Sequence, residues 1–168
     1  NFYLDVLKDR LYVEKADSVS RRAAQTTIYK ILNALTLMLA PILAYTADEI
    51  WNYLPHLDGQ NPAHAVFNEI PRSALIVENS ALKADWEQLE RVREDVKKAL
   101  ELARTDKVIG ASLEAKLTIY ADGETYALLN RLAEMLPSVF IVSEVTLQQG
   151  GSGAYAGEHV SVTVAHAD

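Results

Sequence analysis

Two adjacent arginines, Arg21 and Arg22, are the residues of this 168-residue chain best suited to holding a charged ligand. They open a helical run along which Gln25, Tyr29 and Lys30 follow. Arg22, Gln25 and Tyr29 are spaced by three and four, which places them on one helical face. A guanidinium forks onto phosphate and stacks on nucleobases, and a tyrosine ring stacks as well. The competing account is structural. Both arginines can pair with Asp17 or with acids of the preceding helix, at little energetic consequence. On residue types alone the structural account is preferred. Their position weighs slightly the other way, because positive charge near a helix N-terminus opposes the helix dipole at a cost of ~0.3–1 kcal/mol.

The remaining cations are more readily explained. Lys8, Arg10 and Lys15 surround Tyr12 but alternate with Asp5, Asp9 and Glu14, the pattern of a solvated face. A later helix carries Arg91, Arg93, Lys97, Lys98 and Arg104. Glu87 with Arg91, Glu94 with Lys98, and Lys97 with Glu101 are each four apart and are expected to pair on its surface. That leaves Arg93, Arg104 and Lys107 as a second set of candidates. His56, His64, His159 and His166 lack metal-ligand spacing. Asp48 and Glu49 are neighbours on a helix and point apart, so capping explains them better than acid–base work. Trp51 and Trp86 occupy apolar helix positions and read as anchors in a core or between domains. No phosphate-cradling glycine loop, metalloprotease motif or nucleophile elbow occurs.

The elements that must position these groups are mostly helical. Residues 2–13 read as one helix, with Phe2, Val6, Leu7, Leu11 and Val13 on one side. Ser18 or Ser20 caps a second helix that runs to about Ala40, where Pro41 ends it. Ile28, Ile31, Leu32, Leu35, Met38, Leu39 and Ile42 form a stripe on that helix, expected to face a core. Thr46 and Glu49 are spaced as a capping box for a third helix over 46–53. Residues 56–80 read as an irregular connection. A long amphipathic helix spans 86–104, capped by Asp85, with Leu89, Val92, Val96, Leu100 and Ala103 inward. Gly110 permits a left-handed stop. Strands are expected at 115–120, 140–147 and 160–164, with a helix over 123–136 ended by Pro137. The glycine-rich loop 150–157 reads as a hairpin connection. The fold class is therefore α+β, mainly α: a helical-bundle piece (1–55), a connector (56–85), and a long helix with a small α+β unit (86–168).

The net charge of −7 argues against a generically basic nucleic-acid binder. The charge is uneven: residues 1–55 hold six Lys/Arg and six Asp/Glu, so the whole excess falls on 56–168. Phosphate contact is expected on the first part or on local basic patches. With no cysteine there is neither a disulfide nor a thiolate-held metal in these residues. No stretch is apolar enough to span a membrane. A first residue of Asn rather than Met reads as a fragment of a longer protein.

Four segments occur in a telling order: FYLDVLKDRLY (2–12), SRRAAQTTIYKIL (20–32), LAPILAYTADEIW (39–51) and IGASLEAKLTIY (109–120). Together they resemble the C-terminal half of bacterial-type isoleucyl-tRNA synthetases. The LAPI…TADEIW corner is shared with the valine, leucine and methionine enzymes; FYLDVLKDRLY and IGASLEA sharpen the likeness to the isoleucine enzyme. The resemblance implies an anticodon-binding helical bundle, with further bundle helices upstream and hence an apolar face left open here. It implies a cytoplasmic parent ligase that uses ATP and Mg to join isoleucine to its tRNA, with the catalytic domain of the same chain as a partner. The ATP-handling signatures of that class are missing from this sequence, so this part is expected to be inactive alone. A zinc-binding, cysteine-rich tail is implied beyond Asp168. The resemblance also tips Arg21, Arg22, Gln25, Tyr29 and Lys30 toward RNA contact, with Arg93, Arg104 and Lys107 behind them. Ala111 departs from the lysine that related enzymes often carry, which weakens an RNA role for that turn. The alternatives are the same region of a valyl, leucyl or methionyl enzyme, or a helical protein-interaction module without RNA.

Overall fold

The computed structural model describes residues 2–71 and 79–167. The chain divides into two compact units, Asn1–Glu78 and Asn79–Asp168.

In the first unit the expected opening helix is split into α1 (Phe2–Val6) and α2 (Lys8–Tyr12). Leu7, between them, is the one buried residue of the described segment 2–13, while Val13 is exposed rather than inward. Ser18 caps α3 (Val19–Leu39), its Oγ accepting from the Arg21 backbone N–H at 3.1 Å. The helix stops where Pro41 requires. It restarts earlier than the capping-box pattern suggested, as α4 (Ala44–Trp51), whose N-cap is Leu43 and which has no side-chain cap. Thr46 thus lies inside the helix, because the corner at Pro41 is only a few residues long.

The apolar stripe of α3 does not face the core. Ile31, Leu35 and Ile42 are 49, 48 and 79 % exposed, and Leu32, Met38 and Leu39 are exposed with them. The side that packs on α4 instead carries Asn33, Thr36, Leu37 and Ala40. Small residues let the two helices approach, and the polar ones are satisfied: Thr36 Oγ1 donates to the Leu32 carbonyl at 2.8 Å, and Gln60 Nε2 donates to Asn33 Oδ1 at 3.2 Å. Leu37, Ala40, Ala47, Trp51 and Ala65 form the core, with Leu54 against it.

Residues 56–71 are tied to this unit. Trp51, 1 % exposed, donates its Nε1 proton to the Asn61 carbonyl at 3.1 Å, and its ring lies 4.7 Å from that of His56. Asp48 accepts from the Ala65 N–H at 2.9 Å and meets His64 Nδ1 at 2.6 Å, holding a 3₁₀ turn (Ala65–Phe67) in place. The hydrogen bond from His64, followed by that from Ala65, holds the Asp48 carboxyl below the usual carboxylate range. Positions 72–78 of the expected connector lie outside the described residues.

In the second unit α5 runs Ser80–Thr105, six residues longer at its start than expected. Asn79 caps it, accepting from the Leu82 N–H at 3.0 Å, while Asp85 pairs with Arg131 at 2.6 Å. Leu89, Val92, Val96, Leu100 and Ala103 are buried as the periodicity requires. The left-handed residue at its end is Lys107 (φ 60°), not Gly110. The Lys107 N–H bonds to the Arg104 carbonyl and the Val108 N–H to that of Ala103, the paired bonds of a Schellman cap.

Strand β1 (Ala115–Ala121) follows, then α6 (Gly123–Arg131), a 3₁₀ turn (Ala133–Met135), α7 (Leu136–Phe140), β2 (Glu144–Gln149), β3 (Tyr155–Ala156) and β4 (Ser161–His166). Pro137 does not end a helix; it sits in the first turn of α7, where its missing N–H costs nothing. The sheet order is β2-β1-β4-β3, with β1 parallel to β2 and antiparallel to β4. The glycine-rich loop is therefore not a hairpin between β2 and β4, because β1 lies between those strands. The hairpin is formed by β3 and β4. Along β1, Ala115, Leu117, Ile119 and Ala121 are buried while the alternate residues are half-exposed, so one face of the sheet carries the core.

Candidate nucleic-acid interface

The adjacent arginines have different fates. Arg21 is half-buried, and its Nη1 donates to the Glu14 carbonyl at 2.8 Å across the approach to α3. Its Nε is buried without a partner. Ser18 Oγ donates to Glu14 Oε2 at 2.5 Å, and this bond is the main reason the Glu14 carboxyl stays below its ordinary range. Arg21 thus closes the loop that starts the helix. Arg22 is exposed and makes no ion pair among the described residues. Gln25 and Lys30 are exposed beside it on the same helix.

Tyr29 is half-buried, and its hydroxyl donates to the Pro55 carbonyl at 2.7 Å, fastening the segment after α4 to α3. By spacing Tyr29 shares the helical face of Arg22 and Gln25, but its hydroxyl is committed. The open cationic set on α3 therefore reduces to Arg22 and Lys30, with Gln25 as an uncharged neighbour. Arginine, glutamine and lysine presented on a rigid helix can contact phosphates and base edges without conformational change.

The second set is not one cluster. Arg93 is half-buried on α5. Arg104 lies three turns further along the same helix, about 16 Å at a rise of 1.5 Å per residue. Its Nη2 donates to Ser112 Oγ at 2.5 Å, bracing the turn after α5. Lys107 is exposed at the cap. In that turn the Glu114 carboxylate accepts from the Gly110 and Ala111 N–H groups at 2.8 and 3.2 Å, which holds it below the usual range. The IGASLEA segment is thus a self-braced corner between α5 and β1.

The pairings expected along α5 do not form as spaced. Glu87 meets Lys83 at 3.9 Å and Glu94 meets Lys97 at 3.1 Å, and among the described residues no ion pair reaches Arg91. Sequence spacing alone could not separate these registers, since steps of three and four are equally close on a helix. Arg91, expected from its spacing to pair with Glu87, is instead exposed.

Residues 1–119 match the sequence profile of the family described as the anticodon-binding domain of tRNA ligase. The isoleucine–tRNA ligase of Bacillus mycoides is 43 % identical over 171 aligned positions, covering 99 % of this chain and 18 % of that protein. That of Histophilus somni is 48 % identical, covering 88 % of this chain and 16 % of the relative. That of Syntrophotalea carbinolica is 44 % identical, covering 95 and 17 %. The chain spans less than a fifth of the length of these curated relatives. It belongs to the anticodon-binding domain family of tRNA ligases, as its four segments suggested.

Proposed function

We propose that this chain is the part of an isoleucine–tRNA ligase that holds the anticodon region of its tRNA. The observation carrying this reading is Arg22. It stands exposed, with no ion pair among the described residues, on a helix that also exposes Gln25 and Lys30 and whose start is locked by Ser18 and Arg21. The contribution is binding energy and register rather than bond chemistry. The parent enzyme would activate isoleucine with ATP and Mg in a catalytic domain of the same chain, in the cytoplasm. Its zinc would belong to a cysteine-bearing tail, since no cysteine is available here. The relatives are far longer than this chain, and the open stripe of Ile31, Leu35 and Ile42 is the surface we assign to other parts of the parent protein.

The test is kinetic. In the intact ligase, Arg22→Ala is expected to raise the Michaelis constant for tRNA about tenfold, the worth of a charge-assisted hydrogen bond. Isoleucine-dependent pyrophosphate exchange should stay at the wild-type rate. An unchanged dependence on tRNA concentration removes Arg22 from the interface.

A further inference from the structure

Arg91, left without its expected partner, opens into a cleft inside the second unit. This cavity of about 350 Å³ is lined by Glu87, Gln88 and Arg91 of α5, Glu124 and Thr125 at the start of α6, and His159 from the turn before β4. Its volume falls within the range of small-molecule sites, roughly 300–1,000 Å³. Gln88 Nε2 donates to Thr125 Oγ1 at 3.0 Å, joining the two helices across it.

The turn that carries His159 is fixed from below. Asp95 of α5 is only 2 % exposed, and its Oδ2 accepts from the His159 N–H at 2.7 Å and the Val160 N–H at 3.3 Å. At Gly157 a Cβ would stand 2.4 Å from Asp95 Cγ, so only glycine allows the turn to sit this close. The buried carboxylate therefore pins the His159 backbone beside the cleft that Arg91 also lines.

The lining is of mixed sign. Arg91 and the His159 ring suit anionic oxygens, whereas Glu124, exposed and with no ion pair among the described residues, can only accept, and so suits N–H donors. Glu87 already meets Lys83 at 3.9 Å, so a bare anion would leave Glu124 without a protein or ligand partner, and a cation would oppose Arg91. A nucleotide supplies phosphate at one end and base N–H groups at the other. Guanine matches a carboxylate best, because its N1–H and N2–H lie side by side, whereas uracil offers one N–H. We propose that this cleft binds one guanine nucleotide, with phosphate toward Arg91 and His159 and the base edge on Glu124. That the nucleotide belongs to a bound RNA strand rests on the function proposed above.

The test is an NMR titration of the ¹⁵N-labelled chain with guanosine 5′-monophosphate and, separately, uridine 5′-monophosphate at low salt. Saturable shifts are expected at Arg91, Thr125 and His159, with the guanine nucleotide about tenfold tighter, the worth of one bidentate pair. Arg91→Ala should weaken both nucleotides at least about fivefold. Glu124→Gln should weaken the guanine nucleotide similarly and change the uracil one less than twofold. Both side chains are exposed, so retained amide dispersion verifies folding. Absent or non-saturable shifts, equal affinity for the two nucleotides, or guanine affinity indifferent to Glu124→Gln overturns the proposal. Displacement of the bound nucleotide by transcribed isoleucine tRNA identifies RNA as its source; retention identifies a free nucleotide. Reading tRNA affinity of Arg22→Ala in parallel separates the two proposals. A loss there with silent cleft variants refutes only the cleft.

Discussion

The two halves of α3 bury opposite sides. At about 100° per residue, Ala24 lies on the same side as Ile31 and Leu35, while Asn33, Thr36 and the C-capping Ala40 lie across the axis. In the first half Ala24 is buried and Arg22, Gln25 and Lys30 stand open. In the second half Asn33, Thr36 and Ala40 are buried, and the apolar stripe stands open. A single helix thus presents a polar surface at its beginning and an oily one at its end. Apolar period reveals which residues share a side but not which neighbour covers that side. Here the small and polar side won the contact with α4, because alanine and threonine permit close approach and Trp51 supplies the bulk.

The sharpest way to break this comparison is to truncate one leucine on each side. Leu37→Ala empties the core and is expected to cost about 2–5 kcal/mol in urea unfolding followed by far-UV circular dichroism. Leu35→Ala, on the open stripe, should remain within about 0.5 kcal/mol. Equal losses would mean that the stripe is covered in solution. A smaller effect is expected at the end of α5. Lys107 occupies a left-handed position that favours glycine, so Lys107→Gly should stabilise the chain by about 1 kcal/mol in the same measurement. If Lys107 also contacts RNA, the same variant binds tRNA more weakly although it is more stable.

The least change is expected from Asp48. Its folded-state value is depressed by His64 and Ala65, so its contribution is present above the unfolded carboxylate's pKa of about 3.9 and is lost as pH falls through the folded value. Asp48→Asn should therefore flatten the decline of the melting temperature on acidification below pH 4. A decline as steep as in the wild type would show that the His64 tether carries no stability.

Much of this was legible from local pattern. The inward residues of α5 were readable because the 3.6 period persists through Leu89, Val96 and Leu100. The end of α3 was readable because proline cannot continue a helix. The start of α5 was hidden, since Ser80, Ala81 and Lys83 carry no apolar period to announce it. The placement of β1 between β2 and β4 depends on pairings distant in sequence, which alternation within a strand does not encode. In the candidate interface, Arg21 and Arg22 are chemically identical side chains. Only the position of the Glu14 carbonyl separates a structural arginine from an available one. Arg91 and His159 meet through Asp95 and Gly157, a convergence invisible until the second unit is folded.

The most direct measurement is the salt dependence of affinity for transcribed isoleucine tRNA, comparing the wild-type chain with Arg22→Ala and with Arg21→Ala. An exposed arginine on phosphate contributes about one unit to the slope of log K against log salt. The account predicts that Arg22→Ala lowers that slope by about one, whereas Arg21→Ala lowers thermal stability and leaves the slope within error. Identical slopes for wild type and Arg22→Ala would contradict it.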